Sequence, residues 1–306
     1  METSLDTMVQ NLYSQDPIQA LNGVKSIRAL LSTGENQFLK EIVFDRKLVP
    51  LFLNLLENSS NKEVQNECIW VIVNITGGSS DYTQAVISTS GAISNLIRFV
   101  TNSDATIAEN AIWALSNMAG DNAAARDSIN QTPLLTEIRK LNFIEGVIPP
   151  SLGRTVAWCI TNLCRPMKSK KPRLESVLPG LDVLELLLHH SDIETVRDAA
   201  HSIKYICGIS NEAISRVVGY KRIPGRLVEL LRIAPNICES IIPPVLDAVA
   251  NIISGNNAVF VLSLTLSLLI LTLRFLRTYS NRGQRTNTVN GDRGCNKASG
   301  WATGFG

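Results

Sequence analysis

The chain has 306 residues, of which 45% are hydrophobic but only 6% aromatic, so its core is aliphatic and large. Charged residues make up 18% and the formal net charge is +2, which excludes a disordered polyelectrolyte, a disulfide miniprotein and a strongly basic nucleic-acid binder. The charge is divided unevenly: residues 256–306 hold six basic residues against the single acid Asp292, leaving residues 1–255 at −3.

From the N-terminus, Met-Glu-Thr-Ser-Leu-Asp has neither a basic nor an apolar region, so no secretory signal is read there. Asp16 to Leu31 reads as a first long helix. Four segments then align: Cys68 to Gly77 around Trp70 and Asn74, Ala111 to Gly120 around Trp113 and Asn117, Val156 to Cys164 around Trp158 and Asn162, and Ala199 to Gly208 around His201 and Tyr205. A fifth runs from Val245 to Gly255 around Asp247 and Asn251. The intervals are 43, 45, 43 and 46 residues, the period of armadillo and HEAT repeats, in which stacked helical units bury faces that no unit buries alone.

Ile107, Ala111, Ala114, Leu115 and Met118 fall on one helical stripe, with Ser103 or Asp104 as N-cap and Gly120 as a stop. Ser191 with Glu194 reads as a capping box. Apolar runs at 48–56, 91–100, 180–188 and 224–231 supply the helices packed beneath. The expectation is an all-α, right-handed α-solenoid of five to six armadillo units over residues 1–255, followed by a tail foreign to the repeat.

Each Trp precedes an Asn by four residues, so the two share a helix face. Asn is a mediocre helix former whose amide needs partners. Its recurrence at one register reads as a surface that grips a peptide backbone, while parallel indoles form slots for the aliphatic stem and charge of Lys or Arg. The alternative is Trp as core filler and Asn as a bond between helices. Packed helices lie about 8–10 Å apart and an extended chain advances about 3.3 Å per residue, so one repeat matches two to three residues of an extended guest.

The sequence resembles importin α, the adaptor that recognises nuclear localisation signals, over about residues 8–255. The likeness lies in Asn74-Ile-Thr-Gly-Gly78 with Thr83, Ala111 to Asp121, Trp158 to Arg165, Leu187 to Asp192 and Ala250 to Gly255. It implies a signal-binding groove formed by Trp70, Trp113 and Trp158 with Asn74, Asn117 and Asn162. It also implies a lysine site at Gly78, Thr83 and Asp121, and further contacts one turn before each Trp at Glu67, Asn110 and Asp198. Thr155 stands where the family has Asn, His201 replaces a Trp, and Asp247 stands where Arg is common.

The family's basic importin-β-binding segment finds no match before Lys25, so binding of importin β is not expected of these residues. The implied role is nuclear import of lysine/arginine-rich cargo between cytoplasm and nucleus, with no nucleic acid, metal or cofactor. An armadillo scaffold fragment, membrane-tethered or nonfunctional, is the other reading. No phosphate loop, metal cluster or nucleophile–base pair suggests an enzyme.

Of the six cysteines, most lie among apolar helical residues and read as buried thiols in a reducing compartment. Lys168-Ser-Lys170-Lys171-Pro-Arg173 reads as a solvated loop between repeats, or as a signal-like segment able to enter another copy's groove. Residues 258–273 carry no charge. The 256–276 stretch reads as a short membrane anchor, a buried helix or sequence foreign to the fold. Residues 277–306 read as a disordered tail.

Overall fold

The computed structural model describes residues 4–143, 148–220 and 222–255, with the side chains of 234–237 excepted. Among the described residues every regular element is helical, apart from one isolated bridge between Met167 and Lys170. The all-α expectation therefore holds. The chain separates into two compact units, residues 4–172 and 173–255.

In the first unit, four long helices pack in succession: Pro17–Leu31, Lys62–Thr76, Ala105–Asp121 and Pro150–Cys164. Shorter helices lie between them, among them Val49–Asn58, Ser80–Ile87, Ala92–Ile97, Ala123–Asn130 and Leu134–Ile138. In the second unit, Ile193–Cys207 packs against Ile242–Ser254, with Leu181–Leu187, Asn211–Gly219 and Arg222–Ile237 completing the repeats.

Local chemistry sets the boundaries. Asp16, Asn61 and Asp104 each cap a long helix by accepting the N–H two residues on. Pro150 occupies the first turn of its helix, where its missing N–H costs nothing. Two boundaries differ from expectation. The cap of Ile193–Cys207 is Asp192, whose Oδ2 accepts from both the N–H and the hydroxyl of Thr195, so the proposed Ser191–Glu194 box is displaced by one residue. The carboxylate wins because it takes two donors at once. Gly120 does not stop its helix, which runs on to Asp121. Asn122 is the non-helical residue there, and its side chain caps the next helix by accepting from Ala124 N and Ala125 N.

The core is aliphatic as composition required. Ile107, Ala111, Ala114, Leu115 and Met118 are all buried, and each fully buried large aliphatic side chain stabilises by about 1.5–3 kcal/mol. Cys68, Cys159, Cys164, Cys207 and Cys238 are free and buried. Burial pushes the Cys159 and Cys207 thiols up to about 12, so they stay protonated and inert. Among the described residues no helix is long and apolar enough to cross a membrane. Both the 256–276 segment and the 277–306 tail lie outside the described residues.

The basic Lys168–Lys171 segment is an ordered turn. Met167 and Lys170 exchange backbone hydrogen bonds of 3.1 and 2.9 Å, and Lys168 (φ 45°) and Ser169 (φ 65°) both sit in the left-handed region. That conformation costs L residues about 1–2 kcal/mol each. Arg126, fully buried, holds it: Nη1 donates to the carbonyls of Arg165 (2.7 Å) and Lys170 (2.9 Å), while Nε and Nη2 donate to Asp127 Oδ1. A segment held in this turn is not an extended guest for another copy's groove.

Candidate functional site

The i, i+4 spacing places Trp70, Trp113 and Trp158 half-buried on successive long helices of the first unit. Each Asn lies one turn further on. Asn74 and Asn162 are buried and Asn117 is half-buried.

The amide nitrogens all point backward along the array. Asn74 Nδ2 donates to the Arg28 carbonyl (3.3 Å) and the Ser32 hydroxyl (3.2 Å). Asn117 Nδ2 donates to the Val73 carbonyl (3.3 Å) and the Thr76 hydroxyl (3.4 Å). Asn162 Nδ2 donates to the Ser116 carbonyl (3.1 Å) and hydroxyl (3.0 Å). In the second unit Asn251 Nδ2 donates to the Lys204 carbonyl (3.1 Å). Within each unit the asparagines thus tie their own long helix to the C-terminal half of the one before it. An amide nitrogen has two protons. At Asn74 and Asn117 the two acceptors are hydrogen-bonded to each other, Ser32 hydroxyl to Arg28 carbonyl at 2.8 Å and Thr76 hydroxyl to Val73 carbonyl at 3.2 Å, so they lie on one side of the nitrogen and share one of its protons.

A glycine stands seven residues after Trp70, Trp113 and His201, and at Gly120 it makes room for that tie. A Cβ on Gly120 would lie 3.2 Å from Asn162 Nδ2, one on Gly77 3.7 Å from Asn117 Nδ2, and one on Gly208 3.9 Å from Asn251 Nδ2.

The indoles are not parallel. Trp70 and Trp113 meet edge to face, with ring centres 5.3 Å apart and planes at 62°. This arrangement satisfies the ring quadrupoles and leaves no slot between these two rings. The expectation of a parallel pair is corrected at this step of the ladder.

Further along, one recess of about 260 Å³ is lined by Thr76, Thr83, Ser116, Asn117, Gly120, Asp121, Trp158, Asn162 and Arg165. Five of the expected site residues are thereby brought together. Thr76, Ser116, Gly120 and Arg165 were not singled out, because small polar residues and a helix-end glycine carry no distinctive spacing.

Asp121 Oδ2 accepts from the Ser80 hydroxyl (2.8 Å), Gln84 Nε2 (3.0 Å) and Asn122 Nδ2 (2.6 Å), which fixes the carboxylate at the recess. Thr83 is buried and donates its hydroxyl to the Thr76 carbonyl (3.2 Å), so its lone pairs remain acceptors. Gly78 lies outside the lining; a Cβ there would meet Tyr82 Cδ2 at 3.0 Å, so the position needs glycine for close packing. Arg165 Nη2 donates to the Gly120 carbonyl (3.1 Å), which places a cation at the same recess.

The remaining expected residues are engaged differently. Glu67 is buried and paired with Arg28 Nε at 2.8 Å, a bond between neighbouring helices. Asn110 is buried and donates to Asn66 Oδ1 (2.9 Å). Thr155 donates to Glu109 Oε1 (3.3 Å), beside Ser151 on Oε2 (2.7 Å).

Asp198 belongs to the second unit, where burial raises its carboxyl pKa to about 6 against the pull of Arg197. There the ladder is rebuilt. His201 lies 6.1 Å from the Tyr205 ring, and its Nδ1 is buried without a hydrogen-bond partner. Burial and Lys204 lower its pKa. Lys204 Nζ is 2.6 Å from Asp247 and 5.8 Å from the Tyr205 ring centre. The cation that Asp247 displaces from its own helix is supplied by the neighbouring one.

The armadillo/β-catenin-like repeat matches residues 36–77 and 79–120. Importin subunit alpha-1b of Oryza sativa subsp. japonica is 31% identical over 257 residues, covering 83% of this chain and 46% of the relative. Importin subunit alpha-2 of Arabidopsis thaliana is 32% identical over 230 residues, 75% of this chain and 42% of the relative. The chain is an importin-α-like armadillo protein. It spans under half the length of these two relatives. Among solved structures, a designed armadillo-repeat protein in complex with a (KR)4 peptide matches 82% of the chain and all of its own, with a TM-score of 0.69 at 22% identity. At this identity the likeness is one of fold, an armadillo-repeat array.

Proposed function

We propose that the chain binds lysine/arginine-rich nuclear-localisation-signal peptides in extended form along the Trp-Asn face of its first unit, as an adaptor for cargo moving between cytoplasm and nucleus. The observation that carries this reading is the recess where Asp121, Thr83, Asn117, Asn162 and Trp158 converge. A lysine ammonium has three donors. The Asp121 carboxylate and the Thr83 hydroxyl oxygen offer acceptors, with the Gly78 backbone carbonyl as a third in the resemblance. Trp158 offers an apolar face to the lysine stem.

Asn117 and Asn162, each held to the preceding helix through Nδ2, present their amide oxygens to a guest as acceptors for peptide N–H groups. Trp70 and Trp113 turn apart to admit a second side chain. The likeness to the importin subunits named above supports a basic peptide as guest, and the mildly acidic charge of residues 1–255 suits one.

The test is titration of a fluorescent lysine-rich peptide against the full chain. Asp121→Asn removes one charge-assisted contact and lowers affinity by about ten- to a hundredfold. Trp113→Ala with Asn117→Ala abolishes binding. Affinity unchanged in both variants would overturn the proposal.

A further inference from the structure

The turn at Lys168 and Ser169 takes no part in the groove. Met167 and Lys170 close it with two backbone hydrogen bonds, and buried Arg126 holds the Lys170 carbonyl. Both central residues have positive φ, the conformation that two-residue turns normally give to Asn and Gly. Lys and Ser stand there instead, and both are exposed, so packing explains neither. Backbone strain held in place by its surroundings collects at ligand-binding sites.

The turn is rich in unused donors. Among the described residues, the backbone N–H groups of Lys168 and Ser169, the Ser169 hydroxyl and the Lys168 and Lys170 ammonium groups make no hydrogen bond or ion pair with the protein. Lys171 is exposed beside them. The acid next to Arg126 is already matched: Asp127 Oδ1 accepts from its Nε (2.9 Å) and Nη2 (2.7 Å). Lys168 and Lys170 thus form a positive island on residues 1–255, which sum to −3.

This donor set defines a partner. Successive N–H groups and a hydroxyl suit one carboxylate, and the flanking ammonium groups suit its neighbours along a chain. The turn is already rigid, so docking orders nothing further on this side. A nucleic acid or a lipid surface broad enough to cover the body would also meet its acidic charge; a short acidic segment meets the turn alone.

We propose that the Lys168–Lys170 turn is a docking site for an acidic peptide segment of a partner protein, one bearing several Asp or Glu carboxylates.

The test is titration of a fluorescent hexaglutamate peptide against the full chain in about 0.15 M salt. Lys168→Gln with Lys170→Gln is expected to weaken binding about five- to tenfold. Lys47→Gln with Lys62→Gln removes the same charge from exposed positions elsewhere and changes affinity by less than about twofold. In the unaltered chain, bound peptide slows amide exchange at Lys168 and Ser169. Equal losses in the two double variants, no binding by the unaltered chain, exchange unchanged at the turn, or tighter binding of a single-stranded oligonucleotide or of phosphatidylserine vesicles through the same lysines would each overturn the proposal.

Discussion

Asn162 Nδ2 donates to one residue, Ser116, at 3.1 Å to its carbonyl and 3.0 Å to its hydroxyl. The acceptor lies one helix back, 46 residues earlier, and the pair is buried. The asparagine ladder is a set of interhelix straps.

The strap depends on a missing methyl group. Gly120→Ala places a Cβ at 3.2 Å from Asn162 Nδ2 and pushes the amide off Ser116, at a cost of about 1–2 kcal/mol. Gly208→Ala, with Asn251 at 3.9 Å, is close to neutral because its φ of −72° suits alanine. Urea unfolding of the two variants side by side checks the contrast.

Asn162→Ala removes two buried hydrogen bonds, whereas Asn251→Ala removes a half-buried one. The first is expected to cost more, about 2–3 kcal/mol against about 1 kcal/mol. Equal losses by denaturant melts would contradict the strap reading.

Asp198 gives a pH signature. Its folded pKa is raised from 3.8 to about 6 by burial, so the folded state holds the proton more tightly than the unfolded state. Stability is then lost as pH rises from about 4 through 6 and regained as pH falls. Asp198→Asn removes this dependence. The variant's advantage grows across that window to at most about 3 kcal/mol, read from unfolding free energies at pH 4 and pH 7.

Much of this was legible in the sequence because spacing alone carries it. The 43-residue period fixed the long helices, and Trp and Asn four apart fixed a shared face. The direction of the amides was not legible, since i, i+4 spacing gives a face but not which neighbour the nitrogen meets. The edge-on meeting of Trp70 and Trp113 was hidden for the same reason: ring tilt depends on packing between helices. Glu67 looked like a ligand-facing acid until Arg28, 39 residues away, claimed it. Arg126 carried no signal at all, because nothing in its local pattern marks a buried guanidinium.

Arg126→Met keeps the volume and drops the donors. The carbonyls of Arg165 and Lys170 lose their buried partner, and the Lys168–Ser169 turn loses what holds it in its left-handed form. The expected loss is about 3 kcal/mol, with faster amide exchange over 166–171 measured by hydrogen–deuterium mass spectrometry.

Seen from outside, the stretch from Pro166 to Lys171 is the obvious place to open the chain: it is polar, lysine-rich and mostly exposed, and it ends where the first unit does. Its Lys170 carbonyl, like that of Arg165 just before it, is nonetheless bolted to a charge with no access to water. A tag, a linker or a protease site inserted there would have to pull that bolt first, so the most inviting seam of the molecule is among its poorest places to cut.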